Sequence, residues 1–314
     1  MRIHQDKKLA EKIGPSCVVD IIIGGHSHTY LEEPSVVAGI PIVQAAVGTA
    51  HIGRFDIMYD ERNNRIDSYT WRLIPITAEN CPRDYALEEV VDKYKEITDS
   101  RYGKVLTRFP RAYTHSSRKM ETELGDLMAE CMRKQLGVDL VFLASGSIRK
   151  ESLGPIITLK DFLEVFPFED GIISFNMTGA QLRKVMTFLM REEVFDADAH
   201  CEWYQISGNF FCEYDRGTRE ILTLTMFGND VKDSDVFRAA MQEYHYLSMN
   251  EYMGITIEEI EQNGQPEELA VKGQNVLKEF FARNDFIKLD GKPRLRIHNS
   301  GPADSEDGEN LQSE

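Results

Sequence analysis

The run Cys17-Val18-Val19-Asp20-Ile21-Ile22-Ile23-Gly24 constrains this chain more than any other stretch. It is rich in β-branched residues, too short for a core helix, and ends in glycine. Such a run reads as a buried strand. It leads directly into Gly24-Gly25-His26-Ser27-His28-Thr29. Two imidazoles two residues apart in a non-helical turn can point to one centre, and the glycines let the backbone turn tightly. Neutral imidazole is the commonest metal ligand, so His26 and His28 are candidate ligands. The plain alternative is a pair of turn histidines bonded to backbone or water.

The rest of the chain alternates strand and helix signals. Residues 1–13 read as a short polar helix, and 41–45 and 52–59 as strands. Asp60 to Asn64 is a turn cluster and Arg65 to Leu73 returns, which predicts a hairpin over 52–73. Leu87, Val90, Val91, Tyr94 and Ile97 recur at helical spacing, giving a connecting helix within 79–102. A second body begins near Gly103. It has a strand at 105–113, a helix at 121–135 and the strand Asp139 to Ala144 running into Ser145-Gly146-Ser147. Helices are expected at 178–191 and 265–284, and strands at 203–214 and 221–228. Residues 299–314 are acidic and polar, which predicts a disordered tail.

At 314 residues the chain has length for about two domains. Its net charge is −16, or −11 without the five acids of the last fourteen residues. That balance argues against nucleic acid, which needs clustered Lys and Arg. No stretch reaches the length of a membrane span, and the polar amino terminus does not run into the apolar h-region of a secretory signal. Five cysteines without a Cys-x-x-Cys read as reduced, mostly buried thiols. Both points lean towards the cytoplasm, with a secreted or periplasmic location open for a longer parent chain.

Several motifs together carry a resemblance. Gly-His-Ser-His-Thr after an apolar strand resembles the last metal-binding motif of the calcineurin-like metallophosphatases. Ile40 to Ala45 and Ile52-Gly53-Arg54 resemble the segments after it in the 5'-nucleotidase and UDP-sugar hydrolase group. Glu121 to Leu127 is similar to that group's Glu-x-Asn-Leu-Gly-Asn/Asp-Leu helix start. Ala144 to Arg149 stands where the group has Asn-Gly-Gly-Gly-Ile-Arg. Phe166-Pro167-Phe168 and Gln205-Ile206-Ser207-Gly208 match its Phe-Pro-Phe loop and Gln-x-Ser-Gly strand.

The resemblance implies a mixed α/β chain. Residues 1–78 would be the C-terminal remnant of a metallophosphatase β-sandwich, and 103–298 a complete 5'-nucleotidase C-terminal, substrate-binding domain. It implies a metal-dependent phosphoester hydrolase of nucleotides or related phosphate esters, served by two divalent ions such as zinc or manganese. Arg149 would give a planar fork of hydrogen bonds to substrate oxygens. Arg118, with Lys119 beside it, would stand for the arginine ahead of the helix motif. Phe168 would stack the base, Asp170 would reach its edge, Tyr246 would be the second ring, and Glu251 would replace an acid for the ribose.

The departures matter as much. The group's Asp-x-His, Gly-Asp, Asn-His-Glu/Asp and Thr-His motifs have no counterpart ahead of Gly24. Arg2 to Ile13 resembles the segment directly after that Thr-His, so the chain would begin just after it. The catalytic His-Asp pair and a bridging aspartate are not found. Asp198-Ala199-His200 follows a helix rather than a first strand and reads as a chance match. Two expectations stand: a truncated hydrolase with little activity alone that cannot hold both ions, or a non-enzymatic nucleotide-binding protein.

Overall fold

The computed structural model describes residues 3–14, 19–196 and 201–300. The chain divides into two compact units, Met1–Tyr94 and Lys95–Glu314. The expectations for residues 198–200 and for most of the acidic tail lie outside the described residues, as does Cys17.

The first unit opens with α1 (Ile3–Ile13) and continues through β1 (Ile22–Ile23), β2 (Ser35–Val37), β3 (Ile40–Val43), β4 (His51–Asp60) and β5 (Arg65–Pro75). β3 lies between β1, parallel to it, and β2, antiparallel. Ala10, Ile22, Ile40 and Ile42 form a small core under α1. β4 and β5 are the hairpin that the turn cluster predicts, with Ile52 opposite Ile74 and Phe55 opposite Trp71. Trp71 lies over Gly53, where any side chain would collide with the indole. The helix α2 (Tyr85–Tyr102) runs across the division between the units.

In the second unit come β6 (Val105–Arg108), β7 (Tyr113–Thr114), α3 (Glu123–Leu136), β8 (Leu140–Ala144), β9 (Ser152–Leu153), β10 (Ile156–Thr158) and α4 (Leu159–Val165). They are followed by β11 (Ile172–Thr178), α5 (Gly179–Leu189), β12 (Tyr204–Ile206), β13 (Phe210–Asp215), β14 (Glu220–Met226), β15 (Asn229–Asp230) and β16 (Val236–Gln242). Last come α6 (Glu243–Leu247), α7 (Met249–Met253), α8 (Ile257–Glu261), β17 (Glu267–Ala270), α9 (Gly273–Arg283) and β18 (Leu295–His298).

The central sheet runs β12-β8-β16-β11-β17, with β8 and β16 parallel and the other pairs antiparallel. β8 is buried along its whole length, and the period of two sorts its side chains between two cores. Leu140, Phe142 and Ala144 join Phe175, Leu182, Met186 and Phe237 on one face. Val141 and Leu143 join Leu124, Leu127, Phe162 and Phe281 on the other. A second sheet, β15-β14-β13-β18, closes the first of these cores.

Three expected elements are corrected. Residues 203–214 are two strands in different sheets, β12 and β13, because Asn209 adopts a left-handed φ of 64° after Gly208 and turns the chain. The segment 105–113 is broken after Arg108. Helical periodicity at 265–284 holds only from Gly273; Glu267–Ala270 instead adds an edge strand beside Ile172–Ser174. Among the described residues Cys131 and Cys212 are buried free thiols, whereas Cys81 is exposed. No helix among them is long and apolar enough to cross a membrane.

Candidate functional site

In the first unit the Gly-His-Ser-His-Thr turn follows β1. Gly24 N–H donates to Val43 O at 2.8 Å, and Ser27 N–H donates to Gly25 O at 2.8 Å. His26 and His28 both take left-handed φ values, 70° and 55°, which cost free energy in a residue with a Cβ. Gln44, buried on β3's extension, holds the turn. Its amide oxygen accepts from His28 N–H at 2.9 Å and Thr29 N–H at 3.0 Å, and its nitrogen donates to Ser27 Oγ at 3.0 Å. Both imidazoles are exposed. Asp6 is fully buried against Gly24, where a Cβ would sit 2.6 Å from its Oδ2, and neither carboxylate oxygen has a hydrogen-bond partner. Among the described residues no three His, Cys, Asp or Glu side chains gather where an ion could be held. Two imidazoles without a bridging carboxylate do not fit a two-metal centre.

The second unit gathers more. β8 ends in a turn, Ser145–Ser147, and Arg149 follows with its N–H donating to Val165 O at 2.8 Å. That bond sets Arg149 beside the end of α4, from which Phe166-Pro167-Phe168 leads away. Phe166 is fully buried and anchors the loop, and Gln274 Nε2 donates to its carbonyl at 2.7 Å. Phe168, half-buried, presents its ring to Arg149, whose guanidinium carbon lies 4.8 Å from the ring centroid. Burial and then the charge of Arg118 hold the Arg149 pKa below the usual arginine value; Glu202 pulls the other way. Arg149 and Phe168 are thus in contact, Glu202 lies against the turn ahead of Arg149, and the charges of Arg118 and Glu202 act on the Arg149 guanidinium.

A buried polar network holds that turn. Gln205, fully buried on β12, donates from Nε2 to Met120 O and Ser145 Oγ, both at 2.9 Å. Its Oε1 accepts from Thr122 N–H at 2.9 Å. Thr122 in turn meets His115 Nδ1 at 2.9 Å and caps α3 through Gly125 N–H at 3.2 Å. Burial holds His115 below the usual histidine pKa. One amide therefore ties the loop bearing Arg118 to the turn ahead of Arg149. Asp170 joins from another side: Gln242 Nε2 donates to its Oδ2 at 3.4 Å, while Gln242 Oε1 accepts from Ser147 Oγ at 2.6 Å.

Tyr246, expected as the second ring, is 5% exposed and packed 5.5 Å from Phe175 in the core. The short helix α6 turns Tyr246 inward and Tyr244 outward, and Tyr244 is 54% exposed. Its hydroxyl lies 3.4 Å from that of Tyr252, with the His245 ring against both. Glu202 carried no local signal: its partner Gly146 is distant in sequence. Glu251 is exposed on α7, and Lys119 Nζ donates to Asp196 O at 2.7 Å.

Residues 102–255 match the family described as 5'-nucleotidase, C-terminal domain. The trifunctional nucleotide phosphoesterase protein YfkN of Bacillus subtilis is 27% identical over 199 residues, covering 58% of this chain and 13% of the relative. Protein UshA of Yersinia enterocolitica is 23% identical over 239 residues, covering 64% of this chain and 43% of its own. The crystal structure of a 5'-nucleotidase precursor from Thermus thermophilus superposes with a TM-score of 0.68 at 18% identity, over 96% of this chain and 63% of that one. The chain thus spans less than two thirds of each of these relatives. This is a mixed α/β protein with a 5'-nucleotidase-type C-terminal domain. Through that domain it is related to phosphoester hydrolases of the nucleotidase family.

Proposed function

We propose that this chain serves the hydrolysis of nucleotide phosphoesters, and that its second unit holds the nucleoside end of the substrate. The observation that carries this is the Arg149 guanidinium held 4.8 Å from the centre of the Phe168 ring in a domain matching the 5'-nucleotidase C-terminal family. An aromatic face stacks a base, and guanidinium groups donate to substrate oxygens in a planar fork. The first unit is read as part of a calcineurin-like metallophosphatase domain, with His26 and His28 in its last metal-binding motif.

The lack of a third donor beside those histidines among the described residues supports a further point: the chain alone binds nucleotide but turns it over slowly or not at all. The same shortage favours the second reading, a nucleotide-binding protein without catalysis of its own. Phosphate release is measured across nucleoside 5'-phosphates, nucleotide sugars and cyclic nucleotides with added zinc, manganese or magnesium, and binding is followed by calorimetry. Binding without robust turnover is expected. Strong metal-dependent turnover that is lost in His26→Ala and His28→Ala would sink the low-activity reading. Failure to bind any of the panel would sink the nucleotide reading.

A further inference from the structure

Residues 285–298 close the second unit as a strap that touches both of its cores. Ile287 N–H donates to Arg108 O at 2.9 Å, and Leu289 N–H to the Tyr113 hydroxyl at 3.1 Å. Ile287 is buried in the core that holds Leu124 and Phe281, and Leu289 packs against it. Leu295 packs on the other core, and β18 runs parallel beside β13. Between these anchors Arg294 is 1% exposed, and its guanidinium donates to Lys292 O at 2.6 Å and to Asp290 Oδ1 at 2.9 Å. The bend of the strap is thus held by its own arginine.

The strap has one further hold, on the loop that bears Arg118. Arg294 N–H and Leu295 N–H donate to the two oxygens of a single carboxylate, Glu121, at 2.7 and 2.8 Å. Glu121 stands between Met120, whose carbonyl accepts from Gln205, and Thr122, whose N–H donates to Gln205. Thr122 is extended, with φ −137° and ψ 147°, and successive side chains of an extended chain point to opposite sides. Thr122 therefore meets His115 and Gln205 while Glu121 meets the strap. The strap touches the same network again at Gly208, shortly after Gln205, where a Cβ would lie 3.2 Å from Arg294 Nη2. Gln205 in turn reaches Ser145 Oγ, in the turn ahead of Arg149. Hydrogen bonds to a charged carboxylate are roughly twice as strong as neutral ones, so the Glu121 clasp is a firm link in this chain of contacts.

Resting on the reading that this domain holds a nucleoside, we propose that Glu121 is a positioning residue for it. The strap, acting through Glu121, fixes the loop 116–121 against Gln205, and the docking of the strap and the binding of a nucleoside stabilise one another. The Glu121 carboxylate is taken up by the strap and acts on the ligand only through the backbone of Met120 and Thr122. Coupling of this kind is reciprocal: a strap that tightens nucleoside binding is tightened by the nucleoside to the same extent.

Adenosine and uridine serve as probes in calorimetric titrations of the whole chain. Wild type is compared with Glu121→Gln, Glu121→Ala and Thr178→Ala, each well below its melting temperature. Hydrogen exchange is followed over 116–122 and 287–298 with and without the probe. Thr178→Ala weakens the start of another helix and measures the effect of general destabilisation. Glu121→Ala should weaken binding roughly tenfold, the scale of a lost hydrogen bond to a charged group, and speed exchange in both segments. Glu121→Gln keeps one acceptor and should fall between, and it carries the comparison if the alanine variant does not fold. Thr178→Ala should bind as wild type does. In wild type the probe should slow exchange across 287–298, a measurement that needs no variant. Unchanged affinity in the folded Glu121 variants, an equal loss in Thr178→Ala, or a strap whose exchange ignores the bound probe overturns the proposal and leaves the nucleoside reading intact. A folded wild type that binds neither probe overturns both.

Discussion

Gln205 and Asp126 show how much of the second unit rests on single side chains. A methyl group on Gly125 would fall inside the Gln205 amide, the group that joins Thr122, Met120 and Ser145. Gly125→Ala should therefore cost about 1–3 kcal/mol through overpacking and weaken nucleoside binding as the Arg118 loop loosens. Denaturant unfolding and calorimetry check the two effects separately. Asp126 is buried beside Glu121. Burial first, then the hydrogen bond and charge of Glu121, push its pKa up to about 9, against an ordinary value of 3.8. Between those values the folded state holds the extra proton and the unfolded state does not, so stability falls as pH rises through that window. Asp126→Asn keeps a donor towards Glu121 and removes the titration. It should melt higher than wild type at pH 8 and show a flatter decline from pH 5 to 8 in scanning calorimetry. Nothing local in the sequence announces this pair: the Glu121 carboxylate also accepts from Arg294 and Leu295 N–H, at 2.7 and 2.8 Å, far along the chain.

At the scale of elements, helix starts were written more plainly than helix surroundings. Thr158, Thr178 and Thr256 each cap a helix in a reciprocal box with Asp161, Gln181 and Glu259 three residues on. Thr178→Ala should cost about 1 kcal/mol, read as a shift of the urea midpoint at unchanged slope. β8 was legible because a strand buried on both faces is apolar throughout. Residues 203–214 were misread because both halves have strand composition, and only Gly208-Asn209 marks the change of sheet. β17 was misread because an edge strand needs only one covered face, so its pattern does not outvote the helical period that begins at Gly273. Arg149 and Phe168 were nominated by separate motifs, and the fold brings the two side chains into contact. The inward turn of Tyr246 and the contact of Glu202 with Gly146 became visible only in the fold.

The whole molecule is uneven. The first unit carries Ile23 at 80% exposure and Met58 at 68%, with Ile52, Ile57 and Tyr59 also exposed. Apolar surface of that kind promotes association. The chain should bind a hydrophobic dye under native conditions, and Met58→Lys with Ile57→Thr should lower that signal and the light scattering of concentrated samples. The second unit has two full cores, but they depend on distant partners. β8 lies between β12 and β16, both of which come much later in the chain. Synthesis is vectorial, so Leu140–Ala144 leaves the ribosome with neither neighbour yet made. About 90 residues separate it from β16, and at roughly 5–20 residues per second that delay lasts about 5–20 seconds. Throughout that interval the most apolar strand of the sheet is a nascent, sticky segment. Only α3, already made, can cover part of it through Leu124 and Leu127.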